Sequence, residues 1–432
     1  MNTPDKLFRS PLLWLLVAAL AVRLLGGIWW QARLPADRRF AFGDSDSYWT
    51  LAGAIARGDP YEFGSPPAKV FRTPGYPLVL AGLFLAYGAE PPVAAARLLN
   101  AVLGTCAVAG VYGLAVRLFD RRTALIAAGI IAFYPGAIGI SVFVLSEAAF
   151  CPLLIAQLII ATAAWQSASA KGALALAIGA GCLAGAATLV RPSWLLFAPV
   201  SLIVGLLSGR NLGRHVALGS TALVGLAVVM APWWIRNYQV TGHFIPTTLQ
   251  VGASLYDGLN PRATGASDMS FVPEFAADEA REPGDDETLE YRLDRRLQTA
   301  SLAWSETHPG RVLQLAAIKG LRLWNVWPNE PEFRSWPLRL AVFATYVPVF
   351  LLAIVGVWRF TPSGWPYALC WLPAAYFTLL HMIFVSSIRY RDPAMLPLAV
   401  LAAGTLVYRQ ARVVEQAAKS GGTAPRIRAA ES

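Results

Sequence analysis

The chain has 432 residues, of which 56% are hydrophobic and only 14% are charged, and its mean hydropathy is +0.49. Soluble domains are about a quarter charged, so this composition excludes an ordinary soluble protein and indicates a polytopic membrane protein. The net charge of +10 does not indicate nucleic-acid binding, because the basic residues fall between apolar runs, as the positive-inside rule predicts. The four cysteines lie in apolar runs without metal or disulfide spacing.

The apolar runs are each close to the roughly 20 residues that a membrane-spanning helix needs. We predict an all-α integral membrane bundle of about ten transmembrane helices with juxtamembrane helices on its outer face. Both termini are placed in the cytoplasm, because Lys and Arg, beginning with Lys6 and Arg9, recur in the short loops of that side. The predicted spans are residues 11–30, 93–117, 123–140, 146–165, 172–190, 193–208, 215–234, 337–357, 365–386 and 394–408.

Two polar segments interrupt this pattern, and both are predicted to lie outside the cytoplasm. The first polar segment, 31–92, contains a short apolar stretch from Pro77 to Tyr87 that is predicted to lie in the membrane interface. The loop region, 236–336, is too long for an ordinary loop and is predicted to hold helices near 286–306 and 311–327. The chain is therefore divided into an N-terminal catalytic module 1–235, the extracytoplasmic loop region 236–336, C-terminal transmembrane helices 337–408 and a cytoplasmic basic tail 409–432.

Acidic residues stand at the start of the first polar segment, just after the first span. Asp44 and Asp46 lie in the sequence Gly-Asp-Ser-Asp-Ser-Tyr, and a carboxylate there could take a proton from an acceptor hydroxyl as a general base. The structural alternative is that Asp44 or Ser45 caps a helix that begins near Tyr48. Asp46 is the competing base, although an acid is also favoured in the first turn of a helix.

Arginines recur at the predicted outer ends of the spans, where the phosphate of a lipid could bind. Arg72 precedes a Pro-Gly-Tyr-Pro turn, while Arg389 and Arg391 lie between the last two spans, and Arg72 and Arg389 have no acid beside them in the sequence. A guanidinium grips phosphate oxygens in a fixed fork, so these residues are candidates for binding an anion. Each could instead anchor the chain at the interface. Arg191 and Arg236 are further candidates at the same level.

Charged residues also occur at the edge of an apolar run and within one. Glu147 begins the fourth span, where it is either a functional acid or a helix-start carboxylate stabilised by the helix dipole. Arg23 lies inside the first span and could face a cavity or snorkel outward. The four histidines show no ligand spacing, so we predict no metal ligands, and the sequence contains no phosphate-binding loop, dinucleotide fingerprint or Ser-His-Asp elbow.

The order of these motifs resembles the GT-C superfamily of glycosyltransferases. The nearest likeness is to the bacterial branch of the dolichyl-phosphate-mannose protein mannosyltransferase family, which includes the lipid A aminoarabinose transferases. The run from Asp44 to Tyr48, followed by Arg72-Thr-Pro-Gly-Tyr76-Pro77, resembles the first outer loop of that family. Further similar stretches are Ala95-Arg97-Leu98, Phe119-Asp120-Arg121-Arg122, Leu145-Ser146-Glu147, Leu189-Val190-Arg191-Pro192, Pro232–Tyr238 and Arg389–Pro393.

The resemblance implies a catalytic role for the first polar segment. The catalytic carboxylate of the family falls on Asp44, and the basic residue thought to meet the lipid phosphate falls on Arg72. Many members follow the catalytic Asp with Glu, whereas Ser45 stands there in this chain, so Asp46 or Glu147 is left as the candidate second acid. The predicted substrate-positioning residues are Tyr48, Tyr76 and Tyr390.

The resemblance also implies the substrates. The donor is a sugar on a polyprenyl monophosphate in the outer leaflet, and the acceptor is a hydroxyl of a protein, lipid or glycan of unknown class. No soluble cofactor is required, and dependence on a divalent cation is left open. The rival function is a transporter or flippase of a lipid-linked sugar without transfer chemistry, which would more often show paired repeats and interrupted helices; neither is visible in the sequence. We therefore predict a glycosyltransferase of a bacterial inner membrane, its active site facing the periplasm or exterior and its surface in contact with membrane lipids.

Overall fold

A computed structural model of the chain describes residues 10–35, 38–282, 287–327 and 335–419, with side chains up to residue 408. The N-terminal Lys6 and Arg9 lie outside the described residues. The predicted cytoplasmic tail begins as a continuation of the last helix, which is described up to Lys419. The rest of that tail also lies outside the described residues.

The regular elements of the described residues are helices, and one isolated bridge joins Phe63 to Ala68. Short 3-10 turns lie at 192–194, 361–363 and 388–390. The α-helices are α1 Pro11–Gln31, α2 Gly43–Arg57, α3 Gly75–Tyr87, α4 Val93–Leu118, α5 Arg121–Phe133, α6 Pro135–Val142, α7 Glu147–Gln166, α8 Ala170–Val190, α9 Phe197–Leu207, α10 Leu212–Thr241, α11 Val251–Gly258, α12 Val272–Arg281, α13 Leu289–Thr307, α14 Pro309–Leu323, α15 Trp336–Phe360, α16 Trp365–Ile383 and α17 Asp392–Lys419.

Seven helices of the described chain are long and apolar enough to cross a membrane, namely α1, α4, α7, α8, α10, α15 and α16. The pair α5 and α6 passes the same test only when the two are taken together across a 55° bend. The predicted span 193–208 corresponds to the shorter apolar segment Pro192–Leu207, and the predicted span 394–408 corresponds to the apolar first part of α17, Asp392–Tyr408. By length and composition, seven or eight helices of the described residues therefore pass this test, against the ten or so spans that were predicted.

The bend between α5 and α6 replaces the continuous span that was predicted over 123–140. Pro135 begins α6 and has no backbone N–H, so the carbonyl of Ile131 loses its helical donor. Arg23 of α1 supplies the missing donors, with Nη2 at 3.3 Å from the oxygen of Ile131 and Nη1 at 3.1 Å from that of Ala132. Arg23 is thus buried between helices and neither faces a cavity nor snorkels outward, because a bend in lipid must satisfy its carbonyls internally.

The end of α6 is held by side chains of α4. Nη1 of Arg97 donates to the carbonyl of Val142 at 2.5 Å, and Nδ2 of Asn100 donates to the carbonyl of Phe143 at 2.9 Å. These bonds fix the short turn that connects α6 to α7. Because α7 begins at Glu147, they also fix where that carboxylate enters the bundle.

Four helices, α11 to α14, lie in the described part of the loop region, which closes over the first polar segment. The predicted helices at 286–306 and 311–327 correspond to α13 and α14. The backbone N–H of Leu249 donates to the carbonyl of Val70 at 3.0 Å. The carboxylate of Glu290 accepts from the backbone N–H of Lys69 at 2.8 Å and from that of Val70 at 3.1 Å. The two polar segments therefore pack against each other at one end of the helix bundle.

Candidate active site

A cavity of about 1490 Å³ lies where the two polar segments meet the helix bundle. Apolar side chains line most of it, among them Trp30 of α1, Phe143, Leu289 of α13 and Val342 of α15. Sites for single small molecules commonly occupy about 300–1,000 Å³. The cavity is therefore large enough to hold parts of two substrates at once.

Asp44 lies on the wall of this cavity, in the first turn of α2. The helix begins at Gly43 with Phe42 as its N-cap residue, and no side chain caps it. The predicted helix start near Tyr48 is therefore wrong by more than one turn, and the alternative that Asp44 or Ser45 caps the helix is not what the structure shows. An acid in the first turn is nevertheless stabilised by the helix dipole.

Two arginines bracket the carboxylate of Asp44. Nη2 of Arg72 is 2.6 Å from Oδ1, and Nη2 of Arg389 is 3.6 Å from Oδ2. Burial by itself would raise the pKa of Asp44, but the two guanidinium groups outweigh burial and hold the pKa below its usual value. Asp44 is therefore ionised at neutral pH. No acid stands beside Arg72 or Arg389 in the sequence, and their partners in the fold, Asp44 and Glu147, come from distant parts of the chain.

Glu147 continues this alternation of charges. Its side chain is only 2% exposed, and its Oε1 lies 2.9 Å from Nη1 of Arg191 and 3.1 Å from Nε of Arg389. Glu147 is also the first residue of α7. It is therefore a helix-start carboxylate and, at the same time, an acid that pairs with the arginines of the site. We call the resulting set the charged cluster: Asp44, Glu147, Arg72, Arg191 and Arg389. Three arginines against two carboxylates leave one net positive charge, which suits an anionic ligand.

Neutral side chains hold Arg72 in place. Its Nε donates to Oγ of Ser47 at 3.1 Å, and its Nη1 donates to Oε1 of Gln250 at 3.0 Å. The guanidinium also lies 5.1 Å from the ring centre of Tyr48. Burial would lower the pKa of Arg72, but Tyr48 and Asp44 raise it above the usual value, so the side chain keeps its charge. The sequence offered no signal for Gln250, which is a neutral residue 178 positions from Arg72.

The three tyrosines predicted to position substrate occupy different places. Tyr48 and Tyr76 stack edge to face with ring centres 5.2 Å apart, and neither is among the residues that line the cavity. Tyr390 does line it, and its ring stacks on His381 at 4.4 Å. Because Arg389 lies 5.0 Å from the ring centre of Tyr390, this stack forms the support behind Arg389.

Other predicted site residues are directed elsewhere. Asp46 is exposed, and Arg236 donates to the carbonyl of Tyr61 at 3.2 Å; neither lines the cavity. Arg391 does line the cavity, but it is 1% exposed and Nη1 donates to backbone carbonyls at the end of α14, including that of Leu323. The structure therefore separates Asp46 and Arg236 from the charged cluster.

The described residues contain no group of three or more His, Cys, Asp or Glu side chains that could hold a metal ion. The two acids of the charged cluster, Asp44 and Glu147, are each within 4 Å of two arginines. Such surroundings repel a divalent cation, so these acids do not fit a metal centre.

One family model matches part of this chain, and solved structures are similar to its fold. Residues 72–235 match the family model described as dolichyl-phosphate-mannose-protein mannosyltransferase. The structure is similar to the archaeal oligosaccharyltransferase AglB from Archaeoglobus fulgidus in complex with an inhibitory peptide and a dolichol-phosphate, with 16% sequence identity, a TM-score of 0.60, and coverage of 96% of this chain and 52% of that one. The apo form of the Archaeoglobus fulgidus oligosaccharyltransferase has 13% identity, a TM-score of 0.59, and coverage of 97% and 53%.

ArnT from Cupriavidus metallidurans bound to undecaprenyl phosphate has 15% sequence identity, a TM-score of 0.44, and coverage of 96% of this chain and 81% of that one. No curated protein sequence matches the chain. The chain spans about half the length of the archaeal oligosaccharyltransferase. The family match and the fold confirm the predicted resemblance and the predicted all-α membrane architecture.

Proposed function

We propose that this chain, which has the fold and the family match of a GT-C membrane glycosyltransferase, moves a sugar from a polyprenyl-monophosphate donor to an acceptor hydroxyl. The observation that carries the proposal is the ionised carboxylate of Asp44, which is held between Arg72 and Arg389 on the wall of the cavity. A carboxylate beside a set of cations with excess positive charge suits a reaction in which a hydroxyl attacks and a phosphate departs.

In this reaction the acceptor oxygen bonds to the anomeric carbon of the sugar while the bond between that carbon and the phosphate oxygen breaks. The electron pair of the broken bond leaves with the lipid phosphate, which gains negative charge. Asp44 accepts the hydrogen bond of the attacking hydroxyl and then its proton. Arg389 is the member of the charged cluster that lies within 4 Å of both acids and, with Arg191 beside it, stabilises the charge that develops on the phosphate.

Arg72 has a different task in this scheme from the one inferred from the family. Its three nitrogens already bond to Ser47, Gln250 and Asp44. Arg72 therefore fixes the orientation of the Asp44 carboxylate and keeps it ionised, and it reaches phosphate only through its remaining protons. Arg389 meets Asp44, Glu147 and the hydroxyl of Tyr390 through Nε and Nη2, so its Nη1 is the group we assign to the phosphate, and Arg389 is the principal phosphate ligand.

The contact between the two polar segments supports their placement on one side of the membrane, and we assign that side to the exterior of a bacterial inner membrane from the basic short loops. One observation favours the rival transport function: the break between α5 and α6 resembles the interrupted helices of transporters. However, Arg23 occupies the carbonyls freed by that break, so they do not line a path for substrate. Transfer chemistry is therefore the better-supported function.

The test is to incubate the purified protein with polyprenyl-phosphate sugars and to measure release of polyprenyl phosphate. Asp44→Asn keeps the size of the side chain but removes its basic carboxylate, so release should be abolished. The loss of stability should be small, because the side chain of Asp44 is 37% exposed, whereas that of Glu147 is buried. Asp46→Asn is the matched control on the same helix and should retain measurable release, because Asp46 is exposed away from the cavity. Wild-type turnover in Asp44→Asn together with an inactive Asp46→Asn would make Asp46 the base.

A further inference from the structure

Lys319 is a buried lysine of α14 whose charge the transfer reaction described above does not use. Its side chain is 0% exposed, and its Nζ donates to the carbonyl of Ile383 at 2.6 Å. Burial lowers the pKa of Lys319 to about 8, and the attraction of Asp257 in α11 limits the decrease. A buried ammonium is costly, and an apolar side chain of the same length would avoid that cost. The lysine therefore contributes something that an apolar residue could not, and its hydrogen bond shows where.

The hydrogen bond of Lys319 satisfies the end of a membrane helix. Ile383 is the last residue of α16, and the last carbonyls of a helix have no donor within it. An ammonium at this end also meets the negative end of the helix dipole. A glycine of α11 makes room for the contact, because a Cβ built on Gly258 would lie 2.8 Å from the carbonyl oxygen of Ile383 and 3.1 Å from Nζ of Lys319. Three helices, α11, α14 and α16, thus meet at one hydrogen bond.

The chain that follows this contact carries the principal phosphate ligand. We call residues 384–391, between α16 and α17, the Arg389 segment. At the far end of the segment, Nη1 of Arg391 donates to the carbonyl of Leu323 in α14 at 3.3 Å. Leu323 is four residues after Lys319, so the two lie on one face of α14. One face of α14 therefore holds the Arg389 segment at both of its ends.

Contacts within the segment connect its start to Arg389. Nδ1 of His381 in α16 lies 2.8 Å from the carbonyl oxygen of Val385, and its ring stacks on that of Tyr390 with ring centres 4.4 Å apart. Nη2 of Arg389 donates to the hydroxyl of Tyr390 at 3.3 Å. The segment thus folds back on the end of α16, and a displacement of that end moves Arg389 with it. We propose that Lys319 is a positioning residue, which holds the end of α16 and so aims Arg389 at the donor phosphate.

This inference rests on the proposed function, in which Arg389 binds the phosphate of a polyprenyl donor. The probe is polyprenyl phosphate, titrated calorimetrically into the full chain in a neutral detergent, with polyprenol titrated in parallel. Lys319→Met removes the donor but keeps an unbranched side chain of similar length. It should weaken binding of polyprenyl phosphate about tenfold and change that of polyprenol less than about twofold, because a displaced guanidinium loses a charge-assisted hydrogen bond whereas the hydrocarbon chain keeps its contacts.

Further variants separate the position of Arg389 from the net charge of the protein. Gly258→Ala keeps the ammonium but places a Cβ against its hydrogen bond, so it should weaken binding of polyprenyl phosphate as well. Arg292→Met removes one positive charge from the same loop region, where Arg292 pairs with Glu279 at 2.8 Å, and it should bind both ligands as the wild type does. In an Arg389→Gln background, Lys319→Met should cause no further loss of affinity.

Three results would overturn the proposal. Wild-type binding of polyprenyl phosphate by Lys319→Met would show that the contact does not position Arg389. A parallel loss of polyprenol binding would make the role of Lys319 structural alone, and a further loss in the Arg389→Gln background would show that it acts on another group. Should Lys319→Met not fold, Gly258→Ala decides by the same criteria.

None of these measurements requires turnover. A wild type that binds polyprenyl phosphate no better than polyprenol would contradict the proposed function itself. A wild type that prefers the phosphate, but whose preference survives in Lys319→Met, would contradict only the role of Lys319.

Discussion

The charge on Glu147 is predicted to hold two arginines in place, and its removal is expected to be strongly destabilising. Glu147→Gln keeps the shape of the side chain but leaves Arg191 and Arg389 without their nearest buried carboxylate, at 2.9 and 3.1 Å. Removing one partner of a buried ion pair costs about 3–5 kcal/mol, chiefly because the remaining charge is left uncompensated. Glu147 contacts two cations, so we expect a loss of about 5 kcal/mol in the free energy of unfolding.

The assay is reversible unfolding in detergent, followed for each single variant and for the double variant Glu147→Gln/Arg191→Gln. Removing Arg191 as well deletes one of the uncompensated charges. The loss in the free energy of unfolding of the double variant should therefore be smaller than the sum of the two single losses by about 1–3 kcal/mol. Asp59→Asn is the control, since its pairing with Arg57 is half exposed and should be worth less than about 1 kcal/mol. Strictly additive losses, or a Glu147→Gln variant as stable as the control, would refute the reasoning.

Further predictions concern the acid limb of activity, the helix bend and the topology. Because the arginines depress the pKa of Asp44, release activity should persist as the pH falls through the usual range of an aspartate. Arg72→Gln should raise that pKa, so this variant should lose activity at a higher pH than the wild type does. A pH profile of Arg72→Gln identical to that of the wild type would contradict this. Arg23→Met should cost about 2–5 kcal/mol in unfolding free energy by leaving the carbonyl of Ile131 without a donor, and wild-type stability would exclude that role. A cysteine at Ser267 should react with impermeant reagents from the exterior, and labelling only from the cytoplasmic side would refute the topology.

Length and hydropathy were sufficient to predict most of the spans, because an apolar run of the right length has few alternatives in a membrane. They were insufficient at Pro135, where the run is apolar throughout and the bend depends on donors from Arg23, more than a hundred residues away. A proline within a predicted span was the available signal, but whether a helix bends there is decided by what satisfies the freed carbonyls. The stretches 193–208 and 394–408 pass no span test for a similar reason, since hydropathy does not measure where a helix begins and ends.

The candidate site was partly predictable because charged groups near lipid are rare enough to attract notice. Asp44, Glu147 and Arg389 were found in this way, and the structure brings them together. The pairing itself was not predictable, because the partners come from separate parts of the chain. Gln250 and Ser386 were missed for a different reason: neutral polar residues are common in loops, and only the fold shows that they meet a guanidinium or line a cavity.

The hydrogen bonds from Lys69 and Val70 to Glu290 bear on how chains of this type could be re-engineered or could diverge. Exchanging the loop region between relatives would be expected to change only the acceptor that the protein uses. In this chain the transplanted piece would also carry away Gln250, which holds Arg72, and Glu290, which binds the backbone of the segment leading to Arg72. A graft that retains function must therefore bring residues 59–74 with it, and substitutions in the two pieces are expected to be inherited together.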